Sequence, residues 1–225
     1  MPEENKRRKF IKDALLTVVG GAVIGTSAKV LANDSEDTPD PILKVKPLGF
    51  QWETQDPFLF CVHHEDAYPQ GNAELGPSKN LLSGRNMGND FHLKDGFRMY
   101  HGDTVPGFPG HPHRGFEPVT FLFQGEQLHR DSLGNESVVK AGDVQWTTAG
   151  RGIIHAEGPT KSFVKKGGII EGIQLWLNLP AEKKMTQPNY QHVKHEDFRV
   201  IMSEDGKIET RIIAGKLNDK YGRMV

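Results

Sequence analysis

From Phe97 to Leu177, glycine and proline cut the chain into short apolar runs, too brief for helices and suited to strands. Residues 97–100, 119–123, 127–131, 137–140, 144–146 and 169–177 each read as a strand, and Ser132-Leu133-Gly134-Asn135 reads as a hairpin turn between two of them. Composition agrees, because 25 Gly and 14 Pro in 225 residues would be costly inside helices but are useful in β turns. Closely spaced strands with Gly-rich connections predict an all-β sandwich or barrel. Residues 64–96, richer in Gly, Asn and Pro, predict a long ordered loop over one end of it. Two further strands are expected at 198–203 and 208–214, around the turn Glu204-Asp205-Gly206.

Charge narrows the choice of partners. The chain has 28 Lys+Arg against 29 Asp+Glu, a formal net charge of -1, so no basic surplus is available for a run of phosphates and nucleic acid is not an expected direct partner. The single cysteine, Cys61, excludes an internal disulfide framework and any Cys-rich zinc cluster, which leaves His and carboxylates to hold a metal. Residues 1–32 differ from the rest: Lys6-Arg7-Arg8-Lys9-Phe10-Ile11-Lys12 precedes an uncharged apolar run at 14–25, the layout of an export signal. That run is shorter than the roughly 20 residues needed to span a bilayer. The arginine pair, followed after one residue by Phe10, Ile11 and Lys12, resembles a twin-arginine signal, with Val30-Leu31-Ala32 as the peptidase site. It implies the twin-arginine export machinery as partner and a periplasmic location. Residues 33–41 read as a solvated acidic linker, 42–180 as the folded body and 181–225 as a polar continuation.

The stretch that carries chemistry is His111-Pro112-His113-Arg114-Gly115-Phe116-Glu117. Residues two apart on an extended segment project from one face, so His111 and His113 can converge on one ion, and Pro112 restricts the backbone of both. Alone, His-x-His is explained equally well by a pair of surface histidines. His155-Ala156-Glu157 repeats the same spacing after Ala149-Gly150-Arg151-Gly152. Folded against the first pair, it would add a third imidazole and a carboxylate, a donor set that suits Fe(II) and also Mn(II), Ni(II), Cu(II) or Zn(II).

These residues, together with Asp56-Pro57-Phe58, Met99-Tyr100-His101-Gly102, His129-Arg130-Asp131-Ser132-Leu133-Gly134 and Gly142-Asp143-Val144-Gln145-Trp146, resemble the pirin family of cupin proteins over about half the chain. The resemblance implies a cupin β-barrel, a double-stranded β-helix, with iron in the N-terminal barrel. It maps the ligands onto His111, His113, His155 and Glu157 and leaves Glu117, the ligand in the common cupin pattern, a supporting or strand role. Pirins carry two cupin barrels packed face to face. The residues after Pro180, with Arg211-Ile212-Ile213-Ala214-Gly215 as the opening of a second barrel, are therefore expected to form an incomplete second-domain segment, its missing face supplied by a partner chain such as a second copy.

The function implied is an Fe(II)-dependent dioxygenase of quercetin 2,3-dioxygenase type, acting on a flavonoid and O₂ with Glu157 as catalytic base. Two other readings stand beside it: a non-catalytic iron protein that binds a partner in a redox-dependent manner, and a truncated, inactive pirin. Other residues receive plainer roles. Trp146, Phe121, Leu122, Phe123 and Cys61 are expected in the core. His63 and His64, adjacent on a strand, face opposite ways, so one of them can line a cavity. His101 and His129 are expected at the rim or satisfied, Arg114 in a structural salt bridge, and His192 and His195 on the surface. Gln145 alternates with Trp146 toward the cavity but is not assigned to the site.

Overall fold

The computed structural model describes residues 45–47 and 49–224; the expected signal at 1–32 and the linker at 33–41 lie outside the described residues. Strands β1 (Gln51–Trp52), β2 (Phe58–Tyr68), β3 (Phe108–His113), β4 (Phe116–Gln124), β5 (Glu126–Asp131), β6 (Glu136–Lys140), β7 (Val144–Thr148), β8 (Ile153–Pro159), β9 (Gly168–Asn178) and β10 (Asn189–Val193) build two antiparallel sheets. The larger runs β1-β2-β9-β4-β7-β10 and the smaller β3-β8-β5-β6. The architecture is the all-β cupin fold that the strand pattern and the resemblance predicted. No helix among the described residues is long and apolar enough to cross a membrane.

The chain alternates between the sheets, and two glycines show how. Gly115, with φ +78, turns β3 of the smaller sheet into β4 of the larger. Gly125, with φ +80, carries β4 back into β5, and a Cβ there would lie 2.6 Å from the Ile169 carbonyl oxygen. Each crossing therefore needs a left-handed backbone, and the second leaves no room for a side chain. β3, with His111 and His113, and β8, with His155, lie side by side.

Several expectations are corrected. The loop expected from residue 64 starts later, because β2 continues to Tyr68 and pairs along its length with β9. Residues 97–100 do not form a strand. Phe97 and Met99 are fully buried, but the Arg98 amide donates to Asp66 Oδ1 (2.8 Å) and the Met99 amide to Asp90 Oδ2 (3.0 Å), so carboxylates replace a ladder partner. Phe123 is 48% exposed, whereas Leu122 is buried: the two point to opposite faces of β4, and the face that covers Val119 leaves Phe123, near the strand's end, open. The larger sheet also continues past Pro180, because β10 pairs with β7 from Asn189↔Thr148 to Val193↔Val144. The last two expected strands form as a pair, β11 (Arg199–Met202) with β12 (Glu209–Ile212). Phe198 and Met224 pack on Val119 and Val144, with Phe121 and Trp146 alongside.

Candidate metal centre

Strand register does the first assembly step. In the antiparallel pair β3·β8, His111 stands opposite His155 and His113 opposite Ile153. Alternation on β8 buries Ile153, His155 and Glu157 while leaving Ile154 exposed. The two donor pairs thus face inward from neighbouring strands. His111 Nε2 lies 3.1 Å from His113 Nε2 and 3.0 Å from His155 Nε2.

Three imidazole nitrogens this close cannot all carry protons. His111 Nδ1 donates to the Pro109 carbonyl at 2.8 Å, so in the neutral ring its Nε2 presents a lone pair to the others. Burial and the adjacent His155 and His111 push the His113 pKa down to about 4. Burial also lowers that of His155, opposed by Glu157. The His113 and His155 rings are therefore neutral near pH 7, the form that ligates. Two nitrogens about 2.1 Å from one cation and at right angles to each other are about 3.0 Å apart, so the spacing fits donors at adjacent corners of an octahedron. The trio fits a divalent transition metal.

Glu157 is close but differently engaged. It groups with His155 and His129, sharing His155 with the first trio. Gln145 Nε2 donates to its Oε1, and Gln174 Nε2 to its Oε2 at 2.9 Å. Both amides are oriented in turn: Trp176 Nε1 donates to Gln174 Oε1 (3.0 Å) and the Tyr190 hydroxyl to Gln145 Oε1 (3.3 Å). Burial works to raise the Glu157 pKa, but the imidazoles of His155 and His129 and the Gln174 amide outweigh it and hold the carboxyl below its ordinary range.

A cavity of about 470 Å³ opens onto the centre, walled by Phe108, Phe116, Trp176 and Phe91 and floored by His111 and His113. Phe116 and Trp176 stack at 4.5 Å, and the His113 ring meets the edge of Trp176 at 5.3 Å. The walls are flat and apolar, and the polar groups are few and convergent, the character of a small-molecule site.

His64 lines the cavity, while His63 turns away to Glu171 (3.3 Å). His101 sits at the rim and bonds to the Gly88 carbonyl at 2.8 Å. His129 is fully buried; its Nε2 meets Asp131 Oδ2 at 3.1 Å, while its Nδ1 has no hydrogen-bond partner among the described residues. Glu117 accepts from Thr148 Oγ1 at 2.6 Å, a strand role. Arg114 forms no salt bridge among the described residues; it donates to Met185 Sδ and lines the cavity mouth. His192 is not a plain surface residue, because β10 brings it 2.9 Å from Asp143 Oδ2, whereas His195 is exposed as expected. The sequence reading passed over Gln174 and left Gln145 unassigned. The available signal was the same for both: a polar residue inside an otherwise apolar strand, Val144-Gln145-Trp146 and Ile173-Gln174-Leu175.

Residues 75–177 match the Pirin family model. Pirin-1 of Arabidopsis thaliana is 47% identical over 48% of this chain and 35% of its own length, and a pirin-like protein of Caulobacter vibrioides is 42% identical over 50% and 39%. Among solved structures, a quercetin 2,3-dioxygenase from Acinetobacter baumannii is similar at TM-score 0.56 and 32% identity, covering 76% of this chain and 49% of that one. The matches to Pirin-1 and the Caulobacter protein thus span well under half of those relatives. Together these findings show that residues 75–177 are similar to pirins and that the fold brings together a His/Glu group that could hold a divalent metal.

Proposed function

We propose that this pirin-type region is an Fe(II)-dependent dioxygenase of quercetinase type, with His111, His113, His155 and Glu157 as the ligand set. One observation carries the reading: three Nε2 atoms spaced 3.0 and 3.1 Å apart face an aromatic-walled cavity. The similarity to the Acinetobacter quercetin 2,3-dioxygenase supports the substrate class, a flavonoid, with O₂ as co-substrate. A divalent metal held there supplies Lewis acidity toward substrate oxygens. The protein's own groups do the rest. Phe116 and Trp176 offer a flat face to a planar ring, and the apolar walls keep bulk water out. Gln145 and Gln174 hold Glu157 in place while each carboxylate oxygen keeps a second lone pair, so Glu157 can still accept the hydroxyl proton of a bound substrate.

The test is anaerobic loading with Fe(II), followed by oxygen uptake with quercetin. Metal-dependent uptake is the expected result; a fully loaded protein that consumes no oxygen with flavonols ends this proposal. The reading also places the protein outside the cytoplasm, supported by Arg7-Arg8 and the apolar run that follows. Replacing both arginines by lysine is expected to retain the full chain in the cytoplasmic fraction.

A further inference from the structure

His64 stands apart from the ligand set at the inner end of a hydrogen-bond chain. Its Nδ1 lies 2.8 Å from the Tyr100 hydroxyl, which donates to Asp66 Oδ2 at 2.6 Å. Asp66 Oδ1 accepts from the Arg98 amide (2.8 Å) and the Arg98 guanidinium (3.1 Å). Asp66 and Tyr100 are 2% and 3% exposed, so bulk water does not compete for these bonds. Tyr100 adopts φ +55, a backbone conformation disfavoured for a bulky residue, and is held there by reciprocal amide bonds with Asp90.

The direction of the chain follows from its far end. Burial raises the Asp66 pKa above its ordinary value, with Tyr100 and the Arg98 donors pulling the other way; Oδ1 already takes two N–H groups from the paired Arg98, so the carboxylate acts as acceptor. The single Tyr100 proton therefore goes to Asp66, and the Tyr100 oxygen is left to accept. The proton facing it must sit on His64 Nδ1. In the neutral ring, Nε2 of His64 then carries a lone pair, and it has no hydrogen-bond partner among the described residues although His64 lines the cavity.

We propose that His64 is a specificity-determining residue that reads a hydroxyl donor on an aromatic ligand, its acceptor character fixed by Tyr100, Asp66 and Arg98. The idea rests on the cavity taking hydroxylated aromatics, but not on metal or turnover. A fixed-tautomer imidazole accepts from a phenol and cannot satisfy an aryl ether, which brings only another acceptor. Burial among Phe50, Phe108 and Tyr100 keeps the ring neutral at working pH, its pKa pushed down to about 4, so the contact selects a donor rather than a negative charge.

The test uses the metal-free full chain with 2-naphthol and 2-methoxynaphthalene, binding being followed by calorimetry. Wild-type protein is expected to prefer the naphthol about tenfold, the size of one well-placed hydrogen bond to a buried group. His64→Phe is expected to bring the two ligands within about twofold, with affinity for the ether unchanged or improved. Tyr100→Phe frees the imidazole tautomer and should narrow the preference while the cavity remains; it carries the test if His64→Phe fails to fold. Equal affinities in the wild type, or a preference that survives both substitutions, overturns the proposal. Oxygen uptake is scored separately: a donor preference without uptake would sink the dioxygenase reading and leave this one standing.

Discussion

Two sets of histidines in this molecule meet opposite fates. His129 and His192 each lie beside an aspartate, Asp131 at 3.1 Å and Asp143 at 2.9 Å, and His129 also stacks on Tyr190 at 4.1 Å. Each thereby donates an N–H to an acceptor that the fold supplies. His111, His113 and His155 instead aim nitrogens at one another, with no carboxylate among the described residues bonded to those Nε2 atoms. A lone pair facing a lone pair is unfavourable until a cation lies between them. What separates the two sets is whether the Nε2 meets a carboxylate or other imidazoles, not burial, since both sets are largely buried.

The hardest blow to that contrast is His155→Ala, which removes the nitrogen shared by both donor groups. Loss of more than about 100-fold in metal affinity is expected, with no stoichiometric metal after desalting. His192→Ala should leave loading intact; equal loss in both variants would erase the distinction. Next comes Gln174→Leu, which strips one hydrogen bond from Glu157 without touching a nitrogen. Affinity is expected to fall about 10- to 100-fold, and loading to demand higher pH because the carboxyl is no longer held down. Unchanged affinity would show that the Glu157 orientation is irrelevant to the metal.

A pH series sharpens the contrast further. His113 is held at about 4 in the folded chain, whereas an unfolded imidazole titrates near ~6.5. Between those values the unfolded chain binds more protons, so this contribution to stability is complete above pH ~6.5 and is lost as pH falls toward 4. Thermal melts of metal-free protein should decline across that window, and His113→Asn should flatten the decline. The smallest effect is reserved for the structural set: His192→Ala, which breaks one bond to Asp143, is expected to cost about 1 kcal/mol in denaturant unfolding at unchanged metal content.

Much of the strand order was legible because alternation and Gly-rich turns are local signals. β4 to β7 and β9 lie where the pattern predicted them. The exceptions share a cause. Residues 97–100 look like a strand because three of the four are apolar or aromatic, but the Arg98 and Met99 amides are taken by the carboxylates of Asp66 and Asp90. β10 looks like polar surface because an edge strand pays little for polar side chains, and only its pairing with β7 reveals it.

For the site itself, the i, i+2 spacing of His111 with His113 and of His155 with Glu157 already determined that each pair shares a face, because strand period is a property of the backbone alone. Which strands became neighbours was decided by how the sheets pair, and only the β3·β8 register set His111 against His155. The amides that pin Glu157 and the Tyr100–Asp66 chain behind His64 come from strands and loops far apart in sequence. Hydrogen-bond direction depends on who stands opposite, and that is settled by tertiary structure alone.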